Sequence, residues 1–111
     1  MPSIHHPSAA VRRVLRKLGA DIRDARRRRH LPMVVVADRA FTSRKTLQHI
    51  EEGDANVSIG IYAAVLQALG LLEPLGQLAD INQDRIGQSL STSELPLRSH
   101  LRRPSEKRSD V

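Results

Sequence analysis

The chain has 111 residues, 40% of them hydrophobic, and its 18 basic and 12 acidic side chains leave a net charge of +6. That length allows one small domain with a tail, and the absence of cysteine excludes disulfide scaffolds and thiolate zinc sites. No apolar run approaches the ~18 residues of a membrane span, and the first ten residues lack the charged-then-apolar order of a signal peptide, so a soluble cytoplasmic protein is expected.

Pro7 and Ser8 form a helix start, with Ser8 placed to cap exposed backbone N–H groups. Val11, Val14, Leu15, Leu18, Ile22 and Ala25 then recur at spacings of three and four. This predicts a helix from about Ser8 to Arg29, with Arg12, Arg13, Arg16, Lys17 and Arg23 mostly off the apolar stripe. Gly19 allows a break or bend in its middle.

Pro32 stops that helix and suits the first turn of the next, from Pro32 to Ala40. Its three valines make a strand the rival reading. The lack of a partner strand and the strongly helical neighbours favour helix. Thr42 and Ser43 cap a third helix, Arg44 to Glu52, which ends at Gly53. Ser58 caps a fourth, about Ile59 to Leu69, with Ile61, Tyr62, Val65, Leu66 and Leu69 on one side and Gly70 closing it. Glu73 and Pro74 begin a fifth, through Ile81, carrying Leu75, Leu78 and Ile81. The domain plan is therefore a flexible N-terminus over 1–7, a helical domain over 8–81, and a mostly disordered basic tail over 82–111. One short ordered piece is expected around Ile86 to Leu97.

Charge is distributed unevenly along this plan. Residues 1–30 hold nine Arg or Lys against two acids, residues 31–84 three against seven, and residues 85–111 six against three. Basic ends around an acidic middle suggest a polyanion partner on one face.

The third helix carries the sharpest functional signal. Leu47 and Ile50, three residues apart, point at a core, and Arg44, Lys45, Gln48 and His49 lie on the opposite side. A solvated polar face is the plain reading of such a row. The alternative is a helix lying in the groove of DNA. Arg can bond guanine bidentately, Gln and Lys can bond base edges, and the N-terminal side chains of such a helix are the ones that reach them.

"VADRAFTSRKTLQHIEEGD" is a helix, a short turn and a second helix, with apolar Val36, Ala40, Leu47 and Ile50 at the crossing points and small Ala37 between. The stretch resembles the helix-turn-helix of the lambda-repressor-like (xenobiotic-response-element) family, whose form is "A…AG.S..T…IE.G". "LGADIRDARRRRHL" resembles that family's first helix. "VSIGIYAAVLQALGLLEPLGQLAD" and the tail pattern "DRIGQSLSTSELPLR" resemble a narrower group, the HipB-like antitoxins encoded beside HipA-like kinase toxins. Together these cover about Leu18 to Arg98.

The resemblance implies that Ser43 sits at the helix cap and bonds phosphate or a base edge. It also implies that Arg44, Lys45 and, one turn later, His49 read bases, while Gln48 contacts a base or phosphate. Two positions depart from the family pattern. Met33 stands where a phosphate-bonding Gln is usual, and Phe41 replaces the turn glycine, where its side chain is strained at positive φ. The run Arg26 to Arg29 either supplies the phosphate bonding that Met33 cannot or is a solvated, cation-rich helix end.

Other constellations carry less. His5 and His6 lack the converging ligands that a metal needs. Glu51 and Glu52 diverge by ~100° on a helix and serve neighbouring cations better than acid–base chemistry. No phosphate-cradling glycine loop, zincin motif or nucleophile elbow is present, so neither an enzyme nor a cofactor is expected. Part of the aliphatic face around Leu71, Leu72 and Leu75 could pack on a second copy. The two half-sites of such operators, ~34 Å apart, call for a two-fold homodimer. Arg98, Arg102, Arg103, Lys107 and Arg108 in the tail suit DNA backbone, an acidic partner or plain solubility.

The expectation is thus an all-α, five-helix DNA-binding domain with a flexible basic tail. It binds double-stranded operator DNA as a dimer, represses its own operon and restrains a HipA-like kinase. The rival readings are a plain repressor without a toxin partner and a protein-interaction adaptor that has lost DNA binding.

Overall fold

A computed structural model describes residues 6–92. They include the α-helices α1 (Ala9–Arg28), α2 (Met33–Arg39), α3 (Arg44–Glu51), α4 (Ile59–Ala68) and α5 (Leu72–Gln77). A 3-10 turn follows at Ile81–Gln83 and residues 85–92 are again helical. No described residue is in a strand, so the valine run of 34–36 is helical. Flanking helices that bury Val36 and Ala37 decide against its β propensity.

Helix starts follow the sequence closely. Ser8, Ser43 and Ser58 each accept a hydrogen bond from the backbone N–H three residues on, at 3.2, 3.0 and 3.3 Å. Each supplies an acceptor to one of the orphan donors of a first turn. Helix ends share one geometry. After α1, α2, α3 and α4 the chain passes through a left-handed residue: His30, Phe41, Gly53 and Gly70. At each end an N–H returns to a carbonyl five residues back: Leu31 to Arg26, Thr42 to Ala37, Asp54 to His49 and Leu71 to Leu66. This is the Schellman closure.

The core lies among the first four helices. Ile22 and Ala25 of α1, Val36, Ala37 and Ala40 around α2, Leu47 and Ile50 of α3, and Tyr62, Val65, Leu66 and Leu69 around α4 are all buried. Helix α3 packs against both α1 and α2, and α2 against α4. Gly19 is buried within an unbroken α1. A side chain there would have its Cβ 2.5 Å from the Ile50 carbonyl oxygen and 2.7 Å from the Gly53 nitrogen. At Gly53 a Cβ would likewise lie 2.6 Å from the Leu15 carbonyl oxygen. The two backbones therefore touch at these glycines, and the expected bend at Gly19 gives way to a close helix approach.

Two further expectations change. The apolar stripe of α1 is only half used: Ile22 and Ala25 are buried and Leu18 packs at the core edge, whereas Val11 and Val14 are exposed, Val14 to 66%. The N-terminal turns of α1 run past the end of the core. Helix α5 stops at Gln77 rather than Ile81; Asp80 then caps the 3-10 turn by accepting from the Asn82 N–H. Leu75 still packs on the core, but Leu78 and Ile81 are exposed.

The chain divides into two compact units, the first ending at Leu75 and the second beginning at Gly76. In the second, Asp84 accepts a bond from the Gly87 N–H as helix 85–92 begins, and Gln88 Nε2 donates to the Ile81 carbonyl at 2.6 Å. Helix 85–92 falls where one short ordered piece was expected, around Ile86 to Leu97. It begins earlier because Asp84 and Gln88 meet the backbone groups that a loop leaves unsatisfied. The tail residues beyond Thr92, including Arg98, Arg102, Arg103, Lys107 and Arg108, lie outside the described residues, as do 1–5.

Candidate nucleic-acid interface

Helix α3 is anchored from beneath and open above. Leu47 and Ile50 are fully buried against α1 and α2, while Ser43, Arg44, Lys45 and Gln48 are exposed and His49 is partly so. The five side chains singled out from the sequence therefore share one short helix and its cap, but in different states.

Arg44 and Lys45 are exposed in the first turn. Cations there oppose the helix dipole, so they do little for the helix itself. The Ser43 hydroxyl is committed at the cap, accepting from the Thr46 N–H and donating to Thr46 Oγ1 at 3.0 Å. What it retains for a ligand is a lone pair. Gln48 Nε2 leans toward Glu52 at 3.5 Å, so an acidic group borders the basic row. His49 is tethered, with its Nδ1 2.9 Å from Asp54 Oδ2. Ser43, Lys45, Thr46, His49 and Val57 line an open notch of about 230 Å³ along the flank of α3.

Beneath the helix, Glu51 is only 5% exposed and meets the Arg26 guanidinium through two bonds, Nε to Oε2 at 2.7 Å and Nη2 to Oε1 at 3.1 Å. Arg26 also donates to the Leu31 carbonyl, and Arg23 reaches Glu51 at 3.8 Å. The hydrogen bond to Glu51 holds Arg26 protonated more firmly than usual, against the opposing effect of burial. This fork joins the C-terminal half of α1 to the last turn of α3. It takes Arg26 out of both readings of the run Arg26 to Arg29. Arg26 is four residues beyond Ile22, on the inward stripe, and cannot reach a phosphate. Arg27, Arg28 and Arg29 are exposed, and Arg29 folds back onto the Ala25 carbonyl at 2.8 Å.

The two departures from the family pattern are also accounted for. Met33 is half-buried against the core, so its thioether packs where a polar side chain would turn outward. Phe41 keeps the left-handed turn at φ 56° and its ring is 96% exposed. The helices keep the Schellman closure at the cost of about 1–2 kcal/mol for a side chain in that region.

Asp54, absent from the residues chosen by sequence, organises the far end. Its Oδ1 accepts from the Asn56 N–H at 2.8 Å, its Oδ2 faces His49, and its carbonyl accepts the Tyr62 hydroxyl at 2.7 Å. The Asn56 amide first, and His49 second, hold its carboxyl below the usual carboxylate range. Burial, reinforced by Asp54, pushes the Tyr62 phenol up to about 12. The sequence signal for Asp54 was faint: an Asp one residue after a helix-ending Gly, a common site for side-chain-to-backbone bonds. Arg26 and Glu51 were more legible, since each falls at helical spacing on an apolar stripe.

Among the described residues no helix is long and apolar enough to cross a membrane, and no three potential metal ligands converge. Compared with known proteins, residues 17–79 match the family model described as a helix-turn-helix domain, more than half of the chain. No curated protein and no solved structure matches the chain.

Proposed function

The chain belongs to the helix-turn-helix domain family, and from that premise we propose that it is a sequence-specific DNA-binding repressor acting on an operator in its own promoter as a homodimer. The observation that carries this reading is the division of labour in α3. Leu47, Ile50 and Glu51 lock it to α1 and α2, while Arg44, Lys45 and Gln48 project from the opposite face. A helix held that rigidly presents its polar row to the major groove with little ordering cost. Phosphate contacts from exposed arginines give affinity and salt dependence; the α3 row gives sequence discrimination.

The finer reading is a HipB-like antitoxin that also binds a HipA-like kinase. Its support is the resemblance of residues 57–80 and 84–98 to that group. A plain repressor lacks this second partner, and an adaptor lacks the first. A kinase-like reading frame beside this gene, and co-purification of its product with this chain, separate antitoxin from plain repressor.

Fluorescence anisotropy on promoter DNA against a scrambled duplex, across a salt series, tests the DNA reading. Tighter binding of the promoter by ~10³-fold or more at physiological salt is expected. Arg44→Ala with Lys45→Ala should then cost ~1–3 kcal/mol for each base-reading side chain while leaving kinase binding intact. Unchanged DNA affinity in that variant removes α3 as the reading element, and equal affinity for both duplexes removes the operator.

A further inference from the structure

The tether on His49 fixes more than its position. Asp54 is an ionised carboxylate at neutral pH, with one oxygen on the Asn56 amide and the other 2.9 Å from His49 Nδ1. A carboxylate only accepts hydrogen bonds, so the proton of a neutral His49 ring must sit on Nδ1. Nε2 is then left as a bare acceptor, and among the described residues it has no partner.

The tether is itself braced. The Asp54 N–H donates to the His49 carbonyl at 3.0 Å and the Asp54 carbonyl accepts the Tyr62 hydroxyl from α4. The ring is 42% exposed and borders the notch shared with Lys45, Ser43, Thr46 and Val57. The charged and titratable groups that face it are Lys45 on its own helix and Asp54 on the following loop, with Tyr62 of α4 behind Asp54.

We propose that His49 reads its base pair through this one tautomer: neutral, it accepts a hydrogen bond from an exocyclic amine, adenine N6 or cytosine N4, and protonated, it becomes a donor that favours guanine. In the major groove those amines are the donors, whereas guanine presents only the O6 and N7 acceptors. Asp54 is the positioning residue, acting through His49 without touching DNA. The inference rests on the operator-binding reading and adds to it the chemical identity of one recognised base.

The test is selection from duplexes with a randomised segment, on the protein at pH about 8 and about 5.5. Wild type, His49→Ala, His49→Gln and Asp54→Asn are compared, with circular dichroism confirming that each is folded. At the higher pH one position should favour adenine or cytosine over guanine by roughly tenfold or more. His49→Ala should flatten that position alone. His49→Gln, which offers donor and acceptor together, should narrow it to adenine. Asp54→Asn should relax it, because an amide can face Nδ1 with either its oxygen or its NH2. At the lower pH guanine should gain in wild type but not in His49→Ala. Preference unchanged in His49→Ala at every position overturns the proposal, as does guanine selected at the His49-dependent position at pH about 8. If wild type selects no sequence at all, the operator reading falls and this inference with it.

Discussion

Single residues set the energetics of the α1–α3 junction. Arg26 and Glu51 are two buried ions whose removal from water is repaid chiefly by their mutual fork, with help from the Leu31 carbonyl and Arg23. Breaking one side strands the other, so Arg26→Met is expected to destabilise by about 3–5 kcal/mol in urea titrations, a large share of a small domain's stability. The double change Arg26→Met with Glu51→Leu should recover most of that loss. A penalty for the double variant equal to that of the single one would mean that the pair is strongly net stabilising. Tyr62 gives an optical handle, being the chain's one tyrosine. Its phenol sits at about 12 in the fold against an ordinary 10.0. A group that holds its proton more tightly when folded contributes stability that is full below pH 10 and is lost as pH rises toward 12. Phenolate absorbance should therefore titrate near 12 in native protein and near 10 in denaturant; coincident midpoints would place Tyr62 in open solvent.

At the level of elements, the sequence made the helix starts plain and the helix partners obscure. Serines at 8, 43 and 58 declare their caps because the capping bond is local. The early stop of α5 was hidden because Leu78 and Ile81 continue its periodicity while remaining exposed. Likewise Val11 and Val14 extend the α1 stripe past the point where any helix covers it. Of the candidate reading residues, Arg44, Lys45 and Gln48 were legible as the outward side of α3. The tether on His49 was not, since it comes from a loop residue five positions on. Gly19 shows two effects in competition. Alanine at a mid-helix glycine gains up to about 1 kcal/mol of propensity. Here its Cβ would meet the Ile50 and Glu51 carbonyls and the Gly53 nitrogen, all backbone that cannot swing aside. Overpacking of this kind costs about 1–3 kcal/mol, so Gly19→Ala should lower the urea midpoint and weaken DNA binding despite leaving the α3 face untouched. A raised midpoint would show that the two helices can separate freely.

Across the described residues, the basic N-terminal stretch takes on local meaning. Arg26, one of the N-terminal cations, neutralises Glu51 inside the first unit, while Arg12, Arg13, Arg27 and Arg28 remain exposed and available to a polyanion. Helix α3 has eight residues, well short of the ~12–15 that hold a helix together in water by themselves. Its existence depends on the backbone contact at Gly19 and Gly53 and on the fork at Arg26. That dependence has a kinetic face. The amide protons of Leu47 and Ile50 have no route to solvent that spares α1, so they should exchange with deuterium together with those of Ile22 and Ala25, through one common opening. Amides in the uncovered first turns of α1 should exchange far sooner. The surface that α3 presents would then be lost all at once, when that opening occurs, rather than by gradual fraying of the helix.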